Sequence, residues 1–243
     1  MEIKKYKKVK NGKYQVEIGD KTILLYDDII IKYQLLLKKE LTKKELDEIK
    51  KDNDFYTNYL LAVEYIKRRL RSKEEVKNYL LKKNISNSII NEILELLEKN
   101  KVLDDSVFTT AYIHDKMSYS NDGPLKIKNN LEKLKIDSNI INKKIGEYTS
   151  DLETEKIQKY ISRQLKNNHK SLYELKNSIL NYLVSNGYHK ELIMDEINNI
   201  EIDETDLYEK EYQKLYNKLS KKYKDKELEY KIKQKLYQKG FHN

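Results

Sequence analysis

Apolar positions in the last three-quarters of this chain recur with a period near fifty-two residues. Val76, Ile127, Ile179 and Ile232 stand 51, 52 and 53 residues apart. Four residues beyond each comes a leucine (Leu80, Leu131, Leu183, Leu236), and nine beyond comes Ile85, Ile136, Tyr188 or Phe241. The pairs Ile89–Ile90, Ile140–Ile141 and Leu192–Ile193 follow, then Leu94, Ile145 and Ile197. Steps of three and four within each block define helices that bury one stripe, and the longer period marks a supersecondary unit repeated in tandem.

Start signals divide each block. Ser72-Lys73-Glu74-Glu75 and Ser171-Leu172-Tyr173-Glu174 read as capping boxes, in which the serine and the glutamate three residues on satisfy each other's amides. Asp122-Gly123-Pro124 places a proline in a first turn, where no amide donor is needed. The spacing predicts three-helix repeats over 54–103, 104–150 and 151–202, with an incomplete fourth over 203–243. Residues 1–53 read as a small β-rich segment with two helices. Strands near Tyr6–Lys10 and Lys13–Ile18 flank Asn11-Gly12, a dipeptide suited to a tight hairpin turn, and Thr22–Tyr26 supplies a third. Asp27-Asp28 would cap a helix from Ile29 to Lys38, and the capping box Thr42–Glu45 would open a second helix ending near Asn53. The expected fold is mainly α. Helix-turn-helix-like repeats form an elongated curved array behind a three-strand plus helix segment, and a long array favours binding over catalysis.

Composition narrows this reading. With 37% charged residues the chain is too polar for one large spherical core, while 38% hydrophobic residues, including 21 tyrosines, argue against wholesale disorder. The absence of cysteine excludes disulfides and thiolate metal ligands. The longest apolar runs, Ile29–Ile31 and Leu35–Leu37, are too short to span a bilayer. A cytoplasmic monomer without a membrane partner is expected.

Catalytic chemistry finds little support. His114, His169, His189 and His242 are scattered without metal-ligand spacing, and none of the six glycines lies in a phosphate-cradling run. Asp104-Asp105 with Asp115 offer carboxylates for a metal cluster, but a helix N-cap explains the first two more simply. The expectation is a protein with no enzymatic activity, cofactor or metal.

Charge is more informative. The formal net charge is +9, and the abundance of Lys, Asn, Ile and Tyr has the character of an AT-rich coding sequence, so distribution says more than the sum. Residues 1–53 carry +4, 54–103 carry +3, 104–150 carry 0, 151–203 carry −2 and 204–243 carry +4. Basic ends would reach a polyanion while the neutral to acidic middle meets protein. Lys67, Arg68, Arg69 and Arg71, followed by Lys73, Lys77, Lys82 and Lys83, hold every arginine but Arg163 and form the first candidate contact surface. Lys221, Lys222, Lys224, Lys231 and Lys235 form the second. Most tyrosines fall on buried stripes and read as core.

Three pieces resemble the RecX family of bacterial recombinase regulators. They are Arg71-Ser72 with Glu75, Leu80 and Lys83; Leu103-Asp104-Asp105-Ser106-Val107-Phe108; and Gly123-Pro124-Leu125-Lys126-Ile127 with Leu131. They are similar to the family's Arg-Ser start, its Leu-Asp-Asp-x-x-Phe junction and its Gly-x-x-x-Ile-x-x-x-Leu helix. The glycine usual after the first two middle helices is replaced by Asn84 and Lys135, whereas Gly187 and Gly240 retain it. The resemblance covers residues 54 to about 240. It implies a non-enzymatic modulator, chiefly an inhibitor, of the RecA recombinase. Its partners would be the RecA filament, the single-stranded DNA within it and, further, duplex DNA. The alternative is a stand-alone DNA-binding protein using the repeats as helix-turn-helix modules.

Overall fold

A computed structural model describes residues 1–10 and 12–242. The chain forms two compact units, Met1–Phe108 and Thr109–Asn243. The first opens with an antiparallel sheet of β1 (Ile3–Lys8), β2 (Lys13–Ile18) and β3 (Lys21–Tyr26), in that spatial order. The predicted turn at Asn11-Gly12 rests on Asn11, outside the described residues, but the strands flanking it pair with Lys8 opposite Tyr14. Alternation buries Val16, Ile18 and Leu25 on one face, against Ile29, Ile30, Leu35, Leu41, Leu46 and Ile49.

The helices of this segment differ from the expectation in two ways. Helix α1 covers Asp27–Lys32 only, and Asp27 stands inside it, with its N-cap at Tyr26. Gln34 then adopts φ +50° and a short 3-10 turn holds Leu35–Leu37. Leu35 enters the core while Leu36 and Leu37 remain exposed, so the chain bends to bury one leucine of three. The second difference is larger. Helix α2 runs unbroken over Lys43–Lys67, through the boundary expected at residues 53 and 54. Asn53 does not cap a new helix there. Its side chain accepts from the Tyr26 amide (3.1 Å) and donates to the Leu24 carbonyl (3.2 Å), fastening β3 to the middle of α2. One helix thus serves two cores, contributing Leu46 and Ile49 to the sheet and Ala62 to the first repeat.

In that repeat α2 packs with α3 (Lys73–Leu81) and α4 (Asn87–Lys99) around Val76, Leu80, Ile90, Ile93, Leu94 and Leu97. The helices that follow are α5 (Asp105–Tyr119), α6 (Pro124–Lys133), α7 (Ser138–Ile145), α8 (Ser150–Lys166), α9 (Leu172–Ser185), α10 (Lys190–Asn198), α11 (Thr205–Leu219) and α12 (Asp225–Gln238). Separate apolar clusters sit within α8–α10 and within α11–α12.

The fifty-two-residue period has a backbone cause. After α3, α6, α9 and α12 the amides of Ile85, Ile136, Tyr188 and Phe241 donate to the carbonyls of Leu80, Leu131, Leu183 and Leu236, at 3.4, 3.2, 3.1 and 3.1 Å. These are the apolar positions that recur at four and nine. Each bond closes a Schellman motif, which requires a left-handed residue just before the donor. Asn84, Lys135, Gly187 and Gly240 occupy that place with φ of +59°, +55°, +81° and +80°. The turn is therefore retained where glycine is not.

Helix α4 closes in the same way, with Lys101 at φ +55° and the Val102 amide on the Leu97 carbonyl at 2.9 Å. A lysine there carries a Cβ penalty that glycine avoids, partly offset by glycine's greater freedom when unfolded. Lys101→Gly is expected to stabilise the protein by about 0.5–1 kcal/mol, read from the urea midpoint. A lowered midpoint would contradict the assignment of strain to this position.

Middle-helix starts dock onto these turns. In the second unit the Gly123 amide donates to the Asn186 carbonyl (2.7 Å) and the Leu125 amide to the Gly187 carbonyl (3.0 Å), which joins α6 to the end of α9. Ser171, the N-cap of α9, likewise donates its hydroxyl to the Lys239 carbonyl at 2.7 Å, beside Gly240. Ser171 still accepts from the Glu174 amide (3.3 Å), but the reciprocal bond of the expected capping box, from the Ser171 amide to the Glu174 carboxylate, is not formed. Thr42 and Ser72 form complete capping boxes.

Candidate nucleic-acid interface

The first basic cluster is less free than its sequence suggests. Lys67 pairs with Glu64 (2.6 Å), Arg69 with Glu75 (2.5 Å) and Lys73 with Glu98 (2.6 Å). The Arg71 side chain is only 13% exposed, lies 3.4 Å from Glu75 and stacks over Tyr65 with its guanidinium carbon 4.0 Å from the ring centre. Glu75 is the hub. Burial pushes its carboxyl up, yet the Ser72 amide, Arg69 and Arg71 together hold it below the usual range. Arg71 is thus a packing residue as much as a surface cation, because its flat guanidinium can cover a ring and meet a carboxylate at once.

Arg68, Lys77 and Lys82 make no ion pair among the described residues, and Lys83 lies over Tyr79 at 5.7 Å. Tyr65 and Tyr79 stack parallel, with centroids 4.1 Å apart. Four cations are left for a polyanion, at the C-cap of α2, one turn into α3 and just after α3.

The second cluster lies in and around α12. Lys221 and Lys224 are exposed without ion pairs among the described residues, Lys222 and Lys231 lie near Tyr223 and Tyr230, and Lys235 donates to Gln238 at 3.1 Å. These lysines face solvent with their charges largely unspent.

The acidic candidates resolve into caps. Asp104 accepts from the Ser106 (2.8 Å) and Val107 (3.1 Å) amides, while Asp105 accepts from the Lys73 amide (2.8 Å). Burial pushes the Asp105 carboxyl up. The same bond recurs when Glu204 accepts from the Leu172 amide at 2.6 Å, again across 32 residues. A carboxylate from the next helix triplet thus covers the first amide of the middle helix. Pro124, at the corresponding place in α6, has no amide to cover. Among the described residues no three carboxylates or histidines are grouped to hold a metal ion.

One aromatic feature escaped the sequence reading. Tyr160 and Tyr182 stack parallel at 4.2 Å, like Tyr65 and Tyr79, and Arg163 lies over Tyr160 at 6.0 Å. Tyr79 and Tyr182 both stand three residues after the period-marking Val76 and Ile179, where the other two repeats have Asn130 and Lys235. That recurrence was the available signal.

Serial helix triplets with shared turns and basic, tyrosine-backed edges define a helical-repeat protein. The family model for the first three-helix domain of RecX matches residues 59–97. A Regulatory protein RecX of Bacillus licheniformis is 30% identical over 185 residues, spanning 76% of this chain and 70% of its own length. One from Listeria innocua is 28% identical over 206 residues, spanning 82% and 77%. The chain belongs to the RecX family, whose curated members are named regulatory proteins. A crystal structure of regulatory protein RecX shares the fold at TM-score 0.71 and 16% identity, covering 82% of this chain and 100% of its own. The RecX structure from Lactobacillus salivarius gives TM-score 0.55 at 28% identity, covering 61% and 99%. No described helix is long and apolar enough to cross a membrane.

Proposed function

We propose that this chain regulates the RecA recombinase by binding its filament on single-stranded DNA. It restrains the filament's ATPase, strand-exchange and coprotease activities and acts as a cytoplasmic monomer without catalysis of its own. The observation that carries this reading is the match to regulatory proteins named RecX over about three-quarters of the chain. Arg68, Lys77, Lys82 and Lys83, the cations of the first cluster free of carboxylates, supply the electrostatic contact.

The test is RecA's DNA-dependent ATPase in the presence of this protein. Wild type is expected to lower the rate, and R68E/K77E/K82E to need at least about tenfold more protein for the same effect, with an unchanged melting curve. Losing three cationic contacts and gaining repulsion accounts for that loss, which should shrink as salt rises. No effect of wild type at saturation, or equal potency of the variant at every salt concentration, would discard the proposal. Tighter binding to bare DNA than to RecA-coated DNA would instead support a stand-alone DNA-binding protein.

A further inference from the structure

The segment with the most negative net charge contains a cleft with no negative lining. Residues 151–203 carry −2, a balance that by itself suits contact with protein. Locally the balance reverses. Between the end of α5 and α8 lies a cavity of about 250 Å³, lined in part by Tyr119, Asn121, Lys156, Lys159, Tyr160 and Arg163. The lining holds three cations and no carboxylate.

Each cation has a distinct position. Lys156 donates to the carbonyls of Met117 (2.5 Å) and Ser120 (3.3 Å), so it fixes the end of α5 against α8 and forms the floor. Burial lowers its pKa. Lys159 and Arg163 follow at three and seven residues on the same helical face, both exposed and without an ion pair among the described residues. In the first repeat, Arg71 sits above the corresponding tyrosine pair and is bound to Glu75. Here Arg163 sits above its pair with no acid to hold it. At the rim Tyr119 is 88% exposed, an aromatic ring with almost no protein against it.

We propose that this cleft is a second binding site, one that takes a nucleotide unit of single-stranded nucleic acid. Lys159 and Arg163 meet successive phosphates, and Tyr119 stacks on a base. The cavity is smaller than the ~300–1,000 Å³ pockets that enclose whole ligands. It suits one unit of a strand that continues across the surface. Unpaired cations beside an exposed ring are the construction that single strands favour, since every base offers a face for stacking. An acidic polypeptide would use the cations but gain nothing from Tyr119.

Fluorescence anisotropy of a labelled oligo(dT) with the full chain tests the site, and no recombinase is present, so failure here is separable from failure of the filament reading. K159A/R163A is expected to weaken binding by roughly tenfold or more. It should also flatten the log–log salt slope by about 1.4, twice the ~0.7 carried by each phosphate contact on a single strand. Tyr119→Ala should weaken binding roughly 5- to 150-fold with the slope unchanged. K133A/K143A removes two exposed lysines elsewhere in the same unit and controls for net charge. A slope and affinity for K159A/R163A equal to those of this control would overturn the proposal. So would an unchanged affinity for Tyr119→Ala, or an equal loss by K159A/R163A for an oligoglutamate peptide, which would mark the cleft as a site for acidic polypeptides.

Discussion

Gly187→Ala is expected to destabilise the second unit by about 3–5 kcal/mol, the range reserved for changes that break backbone packing. Two effects combine. Gly187 holds φ +81°, where an L side chain costs about 1–2 kcal/mol. The added Cβ would also stand 2.3 Å from the Lys126 amide nitrogen and 2.6 Å from its Cβ. Backbone cannot rotate aside as a flexible side chain can, so α6 must lift from the α9 turn. That movement strains the bonds from Gly123 to Asn186 (2.7 Å) and from Leu125 to Gly187 (3.0 Å). It also strains the bond from Lys126 to Asn186 (3.0 Å). Urea unfolding followed by far-UV circular dichroism reads the loss. Gly146→Ala is the control, because nothing lies within 4 Å of its Cβ position and φ is −60°, so the midpoint should hold or rise slightly. Equal midpoints for the two variants would show that the α6–α9 junction carries little weight.

Glu153→Ala should cost about 3 kcal/mol. Glu153 is 2% exposed, and its carboxylate accepts from the His189 amide (2.6 Å) and from His189 Nδ1 (2.9 Å). His189 is the N-cap of α10 and offers no side-chain cap of its own. The glutamate therefore acts as the cap, reaching across from the first turn of α8. Charge-assisted bonds contribute about 1.5–3 kcal/mol, and alanine would leave a part-buried amide without its acceptor. Glu153→Gln keeps the shape and an acceptor oxygen, so it should recover more than half of the loss in the same assay. If glutamine were as damaging as alanine, the charge itself and not the cap would be responsible.

Most helices were legible because their signals are local. Thr42, Ser72, Ser171 and Pro124 mark starts that the structure keeps. The boundary at Asn53 failed for a tertiary reason, since its amide side chain serves β3 and leaves α2 to continue. The basic cluster was legible as composition but not as available charge. Arg69, Arg71, Lys67 and Lys73 are drawn to carboxylates on neighbouring turns and helices, and no count along the chain shows which. Arg163 was set aside as the isolated arginine, although it lines a cleft free of carboxylates.

By itself the sequence determined the period, because the residues that mark it are the two ends of one backbone bond. Leu80 and Ile85, and their three successors, close a turn within a single short stretch, and that turn forms with Asn84 or Lys135 as well as with glycine. Only the tertiary structure decided where glycine is indispensable and which cations are free. Gly187 is needed because α6, some sixty residues earlier, lies against it. Lys159 and Arg163 make no ion pair among the described residues and line a cleft without a carboxylate, whereas Arg71 has Glu75 within reach. Local hydrogen bonding is written in consecutive residues; close approach and charge pairing depend on what folding brings alongside.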